Sequence, residues 1–224
     1  MVLALFASGF GAIAGAAPAA TEGQAIDLSA LGRDDDAAEA ALASGDVSAA
    51  LRYFDYDGHE QEDFARATLE YRRARQALGD VVRDTFGRAT WSKAAVLLGV
   101  PRHRRGGAGE PDRVARRDGS VVYVKNLGAN NEVPYVNVDG VWKVSVRDVL
   151  LTALRARFGK SVEYEEADLH VLAGKMARVL RGRAKQLSSM ADDVKAKRFR
   201  SADDLLDAVD RVRRPPPADA APRE

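Results

Sequence analysis

Apolar residues recur at intervals of three and four over most of this chain, and the rhythm breaks once, where they alternate with polar ones. Phe64, Ala67, Tyr71, Ala74, Leu78 and Val81 form one stripe down a long helix over 62–86, which Gly87 stops. The opposite face carries Glu70, Arg72, Arg73 and Asp80 and reads as solvated surface. A shorter helix follows over 91–98, with Gly99 as its cap and Pro101 closing it off. Ahead of the long helix, Asp34, Asp35 and Asp36 place three carboxylates where the first-turn N–H groups of a helix favour them, so a helix is expected to start there. Gly45 and Asp46 break it, and 47–54 resumes it with Leu51 and Phe54 inward.

The alternation falls between 113 and 146. Asp139 and Gly140, flanked by VPYVNV and VWKVSV, can both take φ > 0, which favours a two-residue hairpin with Val138 facing Val141 and Asn137 facing Trp142. That register puts Tyr135, Trp142, Val144 and Val146 on one face, expected to be the core face, and Val136, Val138, Val141 and Lys143 on the other. Asp118-Gly119 is a second turn of the same chemistry, joining 113–117 to 120–125. The result is a meander of four antiparallel strands that needs helices on one side. The fold class is α+β, with N-terminal helices packed on a short antiparallel meander sheet and a C-terminal helical extension after it.

That extension begins after a helix over 147–158, ended by Gly159. Ser161 is expected to cap a helix running to about 197, whose stripe comprises Leu169, Leu172, Met176, Val179, Leu180, Leu187, Met190 and Val194. Gly174 and Gly182 cost roughly 1 kcal/mol each relative to Ala, so a kink is expected there. The stripe is too apolar for water; it packs on the sheet domain or, alternatively, on a second copy in a homodimer through the C-terminal helices. Ser201 opens a last helix to 213 with Leu205, Leu206, Val209 and Val212 inward, and Pro215, Pro216 and Pro217 lead a tail expected to be disordered. The expected layout is 1–19 signal peptide, 20–33 linker, 34–159 α+β domain, 160–213 helical extension and 214–224 tail.

Composition adds a compartment. Residues 2–20 form an Ala- and Gly-rich run without a charge, ending in Ala17-Pro18-Ala19, the Ala-x-Ala pattern of a secretory signal peptide cut before Ala20. No other stretch reaches membrane-spanning length, so no span is expected in the mature chain. The chain has no cysteine, which excludes a disulfide scaffold, a thiol enzyme and a lipoprotein anchored through Cys. The net charge of +1 conceals an acidic segment over 20–63, at −10, beside basic segments over 64–146 and 147–214, at +7 and +5. Internal complementarity accounts for that asymmetry, and the basic residues lack the interleaved aromatics of a strand-binding platform, so no nucleic-acid partner is expected.

The densest cluster of chemistry-capable side chains is Tyr53 to His59, read as an inter-helix turn. Asp55 and Asp57 before Gly58 share a calcium loop's alternation, but the twelfth position counted from Asp55 is Arg66 where such a loop needs Glu, so no metal is expected. Asp57 and His59 are the acid–base candidates, and Tyr135 and Trp142 are the ligand-binding candidates on the sheet face. Arg102, His103, Arg104 and Arg105 form a loop expected to be solvated, and His103 and His170 are expected on the surface.

The phrase ALASGD at 41–46, a long amphipathic helix and then a meander ending in VDGVWKVSV resemble the nuclear transport factor 2-like superfamily, cone-shaped α+β domains that include SnoaL-like and small exported proteins. The resemblance covers roughly 36–147. It implies a pocket between the concave sheet face and the N-terminal helices, used for isomerase or hydrolase chemistry in some members and for binding alone in many. The expectation is an exported non-enzymatic domain in the bacterial cell envelope that binds a protein or small ligand without a cofactor, the alternative being a cavity enzyme using Asp57 and His59.

Overall fold

The computed structural model describes residues 26, 28–100, 113–126, 132–159 and 164–213. The run expected to be a signal peptide, the expected loop over 102–105, the expected cap Ser161 and the residues after 213 lie outside the described residues. The fold is α+β, with six helices and a central five-stranded sheet among the described residues.

The sheet follows from its turns. Strands β2 (Arg113–Asp118), β3 (Val121–Asn126), β4 (Val133–Val138) and β5 (Val141–Ser145) form the expected antiparallel meander. In the last hairpin Val138 pairs with Val141 and Asn137 with Trp142, because Asp139 (φ 54°) and Gly140 (φ 85°) both adopt the left-handed conformation this turn requires. The first hairpin is one residue out of the expected register. Asp118 pairs with Val121, so the loop is Gly119-Ser120 with Gly119 alone at positive φ (59°). A loop with glycine first demands only one such position, and Asp118 stays in the strand.

A short strand, β1 (Phe54–Asp55), which the sequence pattern had folded into the preceding helix, adds to β5 in parallel and makes the sheet mixed, in the order β1-β5-β4-β3-β2. Val122, Tyr135 and Val144 lie side by side across three strands and are all buried. On the opposite face Val136, Val138 and Val141 are half-buried, and the Arg116 guanidinium lies 4.0 Å from the centre of the Tyr123 ring while bonding both oxygens of Glu132.

Helix α1 (Leu28–Ala43) starts six residues before the expected Asp34, so 28–33 are helix and not linker. The acidic run lies inside the helix, where two of its carboxylates hold the sheet. Trp142 N–H donates to Asp34 Oδ2 at 2.8 Å, and Tyr135 Oη donates to Asp35 Oδ1 at 3.2 Å. Gly45 (φ 86°) turns the chain, Asp46 caps α2 (Val47–Leu51) by accepting from Ala49 N–H at 2.8 Å, and the chain enters β1.

Helix α3 (Gly58–Leu97) has its one break at Gly87 (φ 84°, ψ 167°). The chain doubles back there, bringing the Trp91 ring onto Gly79. Ser145 Oγ caps α4 (Val146–Phe158) by accepting from Asp148 N–H at 3.3 Å. The reciprocal pair Glu165 and Asp168 opens α5 (Glu166–Lys195), and Ser201 accepts from Asp204 N–H at the start of α6 (Ala202–Arg213).

The core has its longest axis where α3 meets α5. The two helices run side by side in the same direction, since Gly58 and Gln61 meet His170 and Glu166 while Glu70 meets Arg181 further along both. The buried face of α5 keeps a seven-residue repeat, with Ala177, Ala184 and Ala191 alternating with Leu180, Leu187 and Val194. Small residues let α3 approach closely. Helix α5 passes Gly174 and Gly182 without a break, because neither faces a neighbour and the packed face holds the helix. Its stripe is buried within one chain, and Val179, expected in the stripe, is exposed. No described helix is long and apolar enough to cross a membrane.

Candidate ligand site at the helix seam

Four residues of α3 recur every seven positions on its buried face: Gln61, Thr68, Arg75 and Val82. Three are polar, and each has to place its donors. Gln61, fully buried, accepts from Asp57 N–H at 3.1 Å and donates to Glu166 Oε1 at 3.0 Å. Thr68 Oγ1 donates to the Phe64 carbonyl at 2.8 Å. Arg75 is only 6% exposed and has no hydrogen-bond acceptor and no ion-pair partner among the described residues. Its guanidinium carbon lies 5.9 Å from the centre of the Tyr71 ring, and burial holds its pKa below the usual arginine value.

The two sides of Arg75 differ. Toward α1 stands Arg72, 5% exposed, paired with Glu39 and within reach of the Asp35 and Tyr135 pair. Burial, reinforced by Arg75, pushes the Arg72 pKa down to about 10, while Asp35 pulls it up. Toward α5 stands Tyr71, also buried, whose pKa burial raises while the charges of Arg75 and Arg183 draw it down. Tyr71 Oη and Arg183 likewise have no acceptor among the described residues. The one sealed side-chain nitrogen or oxygen without a hydrogen bond among those residues is His170 Nδ1, so the free donors of Tyr71 and Arg75 touch solvent although their residues are buried.

The other flank of α5 is closed by carboxylates. Arg181 grips Asp63 with both ends of its fork, Nη1 to Oδ2 at 2.9 Å, and its Nε lies 3.5 Å from Glu70. That grip holds the Asp63 carboxyl below the usual range. Arg181 and Arg183 are two residues apart and so fall on opposite flanks; among the described residues acids pair with the first and none pairs with the second.

The residues singled out by sequence are scattered. Asp57 precedes the first residue of α3 and His59 lies in its first turn, and both side chains are exposed. Asp55 belongs to β1. Tyr135 is buried with its hydroxyl bonded to Asp35. Trp142, on the same face, is half-buried against the core.

Arg72, expected on a solvated face, is buried because α3 is covered on two sides, by α5 and by α1 with the sheet. His170, expected at the surface, is half-buried, its Nδ1 3.3 Å from Glu60 Oε2 without the alignment of a hydrogen bond. No group of three His, Asp or Glu side chains stands in metal-binding geometry among the described residues. A shallow groove of about 420 Å³ between α5 and α6 is lined by Met190, Phe199, Arg211 and Val212 among others.

Pattern reading missed Arg75 altogether. Its signal was the seven-residue spacing from Gln61 and Thr68, and the lack of a carboxylate three or four residues to either side, where Tyr71, Arg72, Leu78 and Gly79 stand. The fold and this seam define an α+β domain with a buried polar notch on a helix pair. No family model, curated protein or solved structure matches the chain.

Proposed function

We propose that the protein is an exported, non-enzymatic domain that binds a small ligand in the bacterial cell envelope. The observation that carries the binding reading is Arg75, a buried cation with no acceptor among the described residues, beside a second free donor, the Tyr71 hydroxyl, on the helix that packs along α5. Burying a charge without a partner costs several kcal/mol, and a packed seam has cheaper residues to offer. Export is supported by the uncharged run over 2–20 and its Ala-x-Ala end. What supports a nuclear transport factor 2-like ancestry is the order of elements, two helices, a long helix and a meander closed by Asp139-Gly140.

Cell fractionation with N-terminal sequencing, followed by native mass spectrometry of the protein isolated from its own cells, tests both halves. An extracytoplasmic protein beginning near Ala20 and carrying a releasable small molecule is expected. A cytosolic chain retaining Met1 would end the export reading, and a native mass equal to the bare polypeptide would end the binding one.

A further inference from the structure

We infer that the seam of α3 and α5 binds an oxyanion, a carboxylate or phosphate group, with Arg75 as its buried ligand and the Tyr71 hydroxyl and Arg183 as further donors. The inference rests on the binding reading and narrows it to one chemistry. Tyr71 and Arg75 are buried, Arg183 is half-buried, and the charges of both arginines bear on the phenol. None of the three has an acceptor among the described residues. The Arg75 guanidinium lies 5.9 Å from the centre of the Tyr71 ring, and the charge of Arg183 also bears on that phenol, while Arg181, on the other flank of α5, is met by Asp63 and Glu70.

A guanidinium presents parallel N–H groups in the spacing of a carboxylate or phosphate edge, and water alone makes a poor partner for one so deep. The position along the seam is also selected. On the α1 side, Asp35, Glu39 and Arg72 together carry one negative charge and repel an anion. On the α5 side, Arg75 and Arg183 carry two positive charges. A helical wheel places Arg75 between Tyr71 and Arg72, so an anion approaching from the α5 side meets the phenol and the Arg75 guanidinium together.

The test is the melting midpoint of the full chain in chloride, acetate and phosphate buffers of equal ionic strength and pH, with calorimetric titration of each anion. In the wild type, acetate or phosphate is expected to raise the midpoint above that in chloride, by linkage to the folded state. A response to phosphate alone assigns a phosphate-bearing ligand, and a response to acetate alone a carboxylate. Arg75→Met is expected to abolish the response while melting in chloride no lower than wild type, since it removes an unpaired buried charge.

A purely structural arginine would instead melt lower on substitution and leave the anion response in place. Should Arg75→Met not fold, Arg183→Gln, at a half-buried position, is expected to weaken anion affinity roughly tenfold with the chloride midpoint unchanged. No wild-type response to either anion, or equal responses in wild type and variants, overturns the inference. If the native mass still shows a retained neutral molecule, the binding reading survives that failure; a bare mass removes both.

Discussion

The backbone N–H of Trp142 donates to Asp34 Oδ2 at 2.8 Å, so a side chain of α1 finishes the edge of β5 where β1 stops. Strand β1 is two residues long and pairs with Val144 and Ser145; Val144 N–H reaches the Tyr53 carbonyl at 2.8 Å. The next N–H pointing the same way, two residues back, belongs to Trp142. Without Asp34 it would face the helix unpaired.

Asp34→Ala is therefore expected to lower stability by about 1–3 kcal/mol, the range for leaving a half-buried donor without its acceptor. Asp34→Asn keeps an acceptor oxygen and should cost less. Urea melts of the three proteins decide it, and equal losses for Ala and Asn would place the effect in the charge instead of the strand edge.

Glycine substitutions on α3 and α5 are expected to move stability in opposite directions. A Cβ on Gly79 would stand 2.7 Å from Trp91 Cζ2, inside a ring wedged by the chain reversal at Gly87, so Gly79→Ala should destabilise despite its better helix propensity. Nothing lies within 4 Å of a Cβ at Gly174 or Gly182, and neither has a positive φ. Each is expected to gain roughly 0.5–1 kcal/mol on replacement by Ala. Thermal melts of the three single variants separate the cases.

The two glycine classes also show what the sequence could and could not convey. A two-residue Asp-Gly turn is a local matter, and the hairpin register from Tyr135 to Val144 followed from it. The helix caps at Ser145 and Ser201 are equally local. Whether a polar residue on a helix faces water depends on what packs beside it. The stripe from Phe64 to Leu78 showed one buried face of α3, but nothing near Arg72 or Arg75 announces that α1 and the sheet cover another.

The same limit applied to Asp34–Asp36, whose carboxylates have a sound local reading at a helix start. Their partners Tyr135 and Trp142 lie a hundred residues away. On α5, Leu169, Leu180, Leu187, Met190 and Val194 are buried as the stripe predicted, but alanines of the seven-residue repeat share the contact while the larger Val179 points outward, so ranking residues by size put Val179 inside and left the alanines out.

Asp63 gives a pH dependence of known sign. Its hydrogen bonds from Arg181 lower the folded-state pKa below the reference of 3.8, so its contribution is fully present above that reference and is lost as pH falls through the lower folded value. Asp63→Asn should melt below wild type at pH 7, by under about 1 kcal/mol for a pair this open to solvent, and the gap should close as pH falls below the reference and through the lower folded value. A gap independent of pH would assign the loss to packing.

Removing the C-terminal helices should cost the domain its fold. Within one chain, α5 buries Leu169, Leu180, Leu187, Met190 and Val194 with four alanines, and α6 adds Leu205 and Val209. At about 1.5–3 kcal/mol for each large side chain, the five on α5 alone contribute roughly 8–15 kcal/mol, as much as the whole net stability of an ordinary domain. The face of α3 they cover holds Arg75 and Gln61 in addition to its leucines, so truncation also leaves that polar seam without its neighbour. A chain ending at Gly159 is expected to show no cooperative melt and to aggregate. Light scattering and urea unfolding of that truncation beside the full chain check it: a truncated monomer that unfolds cooperatively would mean that α5 and α6 are dispensable to the core and free to pair with a second copy.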